Sequence, residues 1–145
     1  MRFRVGLALA ALSVVLVGSA FGQDDPIAAR KQLMKANNEA SKTAFQMVKG
    51  TTPFDATAAA AAMNKIADNM ETFPTLFPEG SDQGDTSASP DIWTNMDDFK
   101  ALAAKLNTDA KAAAAAAAEG LDAFKVAFGA VGGDCGACHK KYRTD

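Results

Sequence analysis

From Pro26 onward, apolar positions recur three and four residues apart, the spacing that places side chains on one face of a helix. The first such segment runs from about Pro26 to Lys49. Ile27, Met34, Ser41 and Val48 lie on one heptad line, with Leu33, Ala40, Ala44 and Met47 beside it. Gly50-Thr51-Thr52-Pro53 supplies a stop and a turn. The second segment covers about Phe54 to Thr72, where Ala59, Met63, Ile66, Met70 and Phe73 carry the stripe. Pro74 and Pro78 break the helical register, and Gly80–Pro90, rich in Gly, Ser, Asp and Thr, reads as a loop. The third segment spans about Asp91 to Glu119, with its stripe on Met96, Phe99, Ala103, Leu106, Ala110, Ala113 and Ala117. Gly120 interrupts it. The fourth runs from Leu121 to about Arg143, and Leu121, Phe124, Phe128, Val131, Cys135, Cys138 and Tyr142 keep the helical step without a miss. No sustained alternation of β-branched residues predicts a strand. The expected fold is therefore all-α: four helices, with short links at Gly50–Pro53 and Gly120 that favour an antiparallel bundle.

The first 22 residues have a different character. Arg2 and Arg4 precede an uncharged, mostly apolar run of 13 residues, Val5 to Val17, followed by small residues. This is the layout of a secretory signal peptide. Ala20-Phe21-Gly22 sets small residues at the −3 and −1 positions, which predicts cleavage after Gly22, with cleavage after Ala20 as the alternative. The apolar run is shorter than the roughly 20 residues a spanning helix needs. The alanine run Ala112–Ala118 is flanked by Lys111 and Glu119, so no membrane span is expected in the mature chain. Residues 23–145 are expected to form one exported bundle domain.

Composition narrows the function. Without Arg2 and Arg4, the 15 basic residues become 13 against 17 acidic ones, a net charge of −4. Such a chain lacks the broad basic field of a nucleic-acid binder. Two cysteines cannot make a disulfide-dense small fold.

Those two cysteines carry the chemistry. Cys135-Gly136-Ala137-Cys138-His139 reads as a c-type haem attachment motif. Two thiols add across the two vinyl groups of the haem, giving thioethers. A spacing of three residues keeps both sulfurs on one side of a helical turn. The adjacent imidazole is offered to the iron from the same turn, and His139 is the sole histidine of the sequence. Three rival readings fit less well. A redox dithiol would open a helix after a strand. A structural zinc site needs four ligands, and only three are at hand. A local disulfide would explain nothing about His139. Gly132 and Gly133 weaken the last helix just before the motif by roughly 1 kcal/mol each relative to alanine. They could permit a bend or a close approach.

Over nearly the whole mature chain the sequence resembles the cytochrome c′ family, including its c-556-type relatives. The resemblance rests on Arg30-Lys31-Gln32-Leu33-Met34, on Phe77-Pro78-Glu79-Gly80-Ser81-Asp82, on Gly84-Asp85-Thr86 and on Pro90-Asp91-Ile92-Trp93. It rests too on the run Ala127–Gly132, on the motif itself and on Tyr142-Arg143. The C-terminal position of the motif in a four-helix chain singles out this family. The resemblance implies a left-handed antiparallel four-helix bundle in the periplasm, often a homodimer. It implies one haem c on Cys135 and Cys138, with His139 as the proximal iron ligand. Arg30, Lys31, Asp85 and Thr86 would contact the haem, and Arg143 would lie close to His139. Met34 falls at the distal position, where family members divide. Either its sulfur is the sixth ligand of a low-spin electron carrier, or it leaves the iron five-coordinate and open to nitric oxide or carbon monoxide.

Two functional classes follow. One is a redox carrier whose acidic surface meets a basic periplasmic partner. The other is a gas-binding protein with an apolar distal side built from Leu33, Phe77 and Phe73. An enzyme is not expected, since no distal acid–base group stands out.

Overall fold

The computed structural model describes residues 25–144, and the expected export segment, residues 1–22, lies outside them. Among the described residues the chain is helical throughout apart from its links, with one isolated antiparallel bridge between Ala88 and Arg143. Helix α1 covers Pro26–Val48, α2 Ala56–Thr72, α3 Asp91–Thr94, α4 Met96–Ala116 and α5 Leu121–Tyr142. A 3₁₀ turn at Phe73–Leu76 extends α2, and another at Ala117–Glu119 closes α4.

The helix starts follow ordinary capping chemistry. Asp25 accepts a hydrogen bond from the Ile27 N–H at 2.9 Å, with Pro26 in the first turn. Asp55 does the same for Ala58 at 2.9 Å. Gly50, with φ of 73°, turns the chain after α1, and Gly120, with φ of 112°, turns it between α4 and α5.

The four long helices run up, down, up and down. Asn37 of α1 meets Asn69 of α2, while Met47 near the end of α1 meets Asp55 at the start of α2. Phe73 meets Phe99 where α2 ends and α4 begins, and Ala67 meets Asn107 further along. Lys105 meets Asp134, and Asp98 meets Tyr142, along α4 and α5. Pairs α1–α2, α2–α4 and α4–α5 pack closely, whereas α1 and α5 touch far less. Ala59, Ala62 and Ala67 on α2 and Ala103, Ala110 and Ala113 on α4 are all buried, and such small side chains let these helices approach closely.

The apolar interior falls into two clusters. The larger, around Met63, Ile66, Met70, Leu106, Phe124 and Val131, fills the bundle. The smaller gathers Phe77, Ile92, Phe99 and Tyr142 at the end where α5 finishes. Here Phe99 makes edge contacts with Phe77 and Tyr142 at centroid distances of 4.8 and 5.3 Å.

One expectation is corrected. The third segment is not one helix. Asn95 leaves the helical region, with φ of −129°, and separates α3 from α4. Its own N–H and its side-chain Nδ2 both donate to the Asp91 carbonyl, each at 3.0 Å. A short amide side chain competing for a backbone carbonyl is the physical reason for the break. On α1 the stripe divides in two. Its heptad line of Ile27, Met34 and Ser41 is only half-buried, and the buried line beside it holds Arg30, Ala40, Ala44 and Met47.

The structure generates two stability predictions. Gly133 is exposed inside α5, and a Cβ built there meets nothing within 4 Å. Gly133→Ala should therefore stabilise the protein by about 0.5–1 kcal/mol in denaturant titrations. Glu71 links α2 to α4: Lys111 Nζ lies 2.7 Å from its Oε1, and Asn107 donates to the same oxygen at 3.3 Å. The Lys111 hydrogen bond and charge, helped by Asn107, hold the Glu71 carboxyl below its ordinary value. A depressed carboxylate stabilises the fold above the ordinary glutamate range and loses that contribution as pH falls through its lowered value. Glu71→Gln should thus flatten the fall in thermal midpoint on acidification, by a small amount because the pair is exposed.

Candidate functional site

A cavity of about 620 Å³ opens between α1 and α5, along the seam where those helices touch least. That volume lies within the range of cofactor and ligand pockets. Its walls come from four helices: Met34 from α1, Ile66 and Met70 from α2, Phe99 and Leu106 from α4, and Phe128 and Val131 from α5. Cys135, Cys138 and His139 all line it. Cys135 packs against the larger apolar cluster and Cys138 against the smaller one, so the pair marks the boundary between the two.

The thiols are free and half-buried, on one face of α5 a single turn apart. Burial pushes both thiols above their ordinary pKa, with the Asp134 charge adding to the effect at Cys135, and the Cys135 and Asp98 charges at Cys138. His139 is exposed, and partial desolvation together with the neighbouring Arg143 charge pulls its pKa below the ordinary value. Both effects favour the neutral imidazole, which is the form that ligates a metal. Lys105 of α4 bridges Asp109 at 2.6 Å and Asp134, the residue before Cys135, at 2.7 Å, fastening α4 to the segment that carries the thiols.

The rim of the cavity is held by an arginine. Arg30 is 4% exposed. Its Nη1 donates to the Leu76 carbonyl at 3.2 Å and to Ser81 Oγ at 2.9 Å, and its Nη2 to the Ser81 carbonyl at 2.7 Å and Thr86 Oγ1 at 3.3 Å. The guanidinium also lies 4.5 Å over the Phe77 ring. Burial lowers its pKa, but an arginine stays charged at any physiological pH. The same loop is tied to α5 on its other side: Ser89 N–H donates to the Tyr142 carbonyl at 3.0 Å, and Thr144 N–H to the Ser87 carbonyl at 2.9 Å.

Of the residues expected from sequence, Arg30, Lys31, Met34, Thr86, Cys135, Cys138, His139 and Arg143 all line this one cavity, as do Phe73 and Phe77. Asp85 does not line it. Its carboxylate points to solvent and forms an ion pair with Lys31. Leu33 is half-buried and also lies outside the lining. Sequence reasoning did not single out Ser81, Asn37 or Asn69. A signal existed for one of them: Arg30, Asn37 and Ala44 are spaced by seven residues, and two of the three are buried.

A large apolar cavity with a thiol pair and an imidazole on one wall fits a tetrapyrrole, and a Cys-x-x-Cys-His helix in a helical bundle defines a c-type cytochrome. The family described as Cytochrome C′ matches residues 25–143. The chain belongs to that family and carries one covalently bound haem c. It is 43% identical over 114 residues to a cytochrome c-556 of Agrobacterium fabrum (strain C58 / ATCC 33970), covering 79% of this chain and 77% of the relative. It superposes on cytochrome c′ from Rhodopseudomonas palustris with a TM-score of 0.81 at 37% identity, over 85% of this chain and 98% of that one. It is also similar to a variant of cytochrome c prime from Alcaligenes xylosoxidans in its nitric oxide complex, with a TM-score of 0.75 at 29% identity over 83% and 94% of the two chains. Those neighbours are four-helix bundles, and the chain is a monohaem cytochrome of the same architecture.

Replacing Arg30 by methionine strands the Leu76 and Ser81 carbonyls, at a cost of about 1–3 kcal/mol for an unsatisfied buried group. Hydrogen exchange should accelerate through Leu76–Thr86 in Arg30→Met. Arg30→Lys should not restore protection, because one ammonium cannot reproduce the fork.

Proposed function

We propose that the mature protein, residues 23–145, is a periplasmic electron carrier. The observation that supports this best is that the fold brings Met34 of α1 and the Cys135–His139 turn of α5 to one apolar cavity. Haem c supplies one-electron exchange at iron when bound. The chain's own residues do the rest. Cys135 and Cys138 are the attachment points, and His139 is the proximal ligand. Met34 is the sulfur donor from the opposite helix, and thioether ligation raises a haem's reduction potential. Ile66, Met70, Phe99 and Phe128 exclude water, which lowers the local dielectric around the iron site. Arg30, Lys31 and Thr86 form the polar rim toward the propionates, and Asp85 acts there through Lys31. Export is the role of residues 1–22. Among the described residues no helix is long and apolar enough to cross a membrane. The partners are a periplasmic redox protein and, in a homodimer, a second copy of the chain.

Among the described residues, no carboxylate and no imidazole besides His139 line the cavity. A second reading, a five-coordinate protein that binds nitric oxide or carbon monoxide, is supported by the largely apolar cavity lining and by the nitric oxide complex of the Alcaligenes xylosoxidans relative.

Visible absorption and magnetic circular dichroism of the ferric and reduced holoprotein test the assignment. Electron carriage with Met34 ligated gives low-spin spectra, a methionine–iron charge-transfer band and no change under carbon monoxide. Met34→Ala then becomes high-spin. A high-spin native protein that shifts under carbon monoxide selects the second reading. Haem lost from native protein during acidified-solvent extraction would sink both.

A further inference from the structure

The cavity wall beyond Met34 is not wholly apolar. Asn37 and Ser41 line it on α1. Asn37 stands one turn along from Met34, on the same helical face. A second amide fixes its orientation. Asn69 of α2, 5% exposed, donates Nδ2 to Asn37 Oδ1 at 2.7 Å. That bond occupies the Asn37 carbonyl oxygen. The Asn37 Nδ2, with two N–H donors, has no protein acceptor among the described residues. Burying a polar side chain such as Asn69 is costly unless it is hydrogen-bonded. Its partner sits on the cavity wall, which Asn38 and Ser41 of α1 and the apolar Ile66, Met70 and Phe128 also line.

We propose that Asn37, held in place by Asn69, is the hydrogen-bond donor that selects among diatomic gases entering the cavity on the Met34 side. It favours those whose outer atom carries the more negative charge once bound and so accepts the stronger hydrogen bond. An apolar wall discriminates small ligands only by size. A fixed amide adds polarity as a second criterion, since it stabilises a bound ligand that can accept and leaves the donor unpaired beside one that cannot. Asn69 is a positioning residue: it touches no ligand and acts by holding the amide. The inference rests on the haem c reading, and it holds whether or not Met34 binds iron in the resting protein.

Carbon monoxide on the reduced holoprotein is the probe, read by the infrared C–O stretch and by the rate of release after flash photolysis and exchange. Measurements are made in the native protein and in Met34→Ala, which removes any competing sulfur. In Met34→Ala, adding Asn37→Leu should raise the C–O stretch and speed release about fivefold, the worth of one net hydrogen bond. Adding Asn69→Leu should move both quantities in the same direction by less, because the amide is present but no longer held. If Asn37→Leu fails to fold, Asn69→Leu alone decides by the same two readouts. An unchanged stretch and release rate, or no carbon monoxide uptake by a haem-loaded Met34→Ala protein, overturns the proposal. Absence of covalent haem from the native protein overturns the haem reading instead.

Discussion

The site depends on one buried cation. A guanidinium out of water is tolerated only when its donors are filled, and Arg30 fills four N–H directions with acceptors from a single loop. The loop in turn has little regular structure of its own, so the arginine supplies the order that a strand or helix would otherwise provide. Once Leu76, Ser81 and Thr86 are fixed to α1, the next few residues are placed to pair with the end of α5. The loop therefore spans the two helices that barely touch. It sets the distance between them at the rim of the cavity, and the aromatic cluster beneath it stops the seam from closing.

The opening also depends on where small side chains are spent. Buried alanines on α2 and α4 bring those two helices together, and the end near Phe99 and Tyr142 is filled by an aromatic cluster. A bundle built evenly from leucines would bring all four neighbouring pairs to similar separations. Here α2–α4 is tight and α1–α5 is loose, so the cavity lies off-centre, against the helix that carries the thiols.

Much of this was legible in the sequence, for physical reasons. The four long helices announce themselves through apolar spacing, and the α2 and α4 stripes are buried at nearly every position; on α5 only Phe124, Val131 and Tyr142 of the stripe are buried, and Leu121, Phe128, Cys135 and Cys138 are half-buried. The attachment motif was readable because its chemistry is local to one turn. What was not legible depends on partners distant in the chain. The acceptors of Arg30 lie 46 to 56 residues away, so nothing near it in the sequence distinguishes it from a solvated surface charge. The Asn37–Asn69 pair is hidden for the same reason. The break at Asn95 was missed because a helical stripe continues across it, and spacing alone does not register an amide competing for a carbonyl. On α1 the division of the stripe between a cavity-facing side at Ile27, Met34 and Ser41 and a buried side at Ala40, Ala44 and Met47 is likewise set by partners distant in the chain.

Both thiols stand on α5 and none on α1. A group fixed through them is tethered to one wall and meets the other only by packing and, at most, one sulfur donor. Its encounter with α1 is then intramolecular and governed by an effective concentration, independent of how dilute the protein or the free cofactor becomes. Simple dilution cannot remove it. In the proposed assignment, the tether lets one wall of the site loosen without loss of the group it encloses.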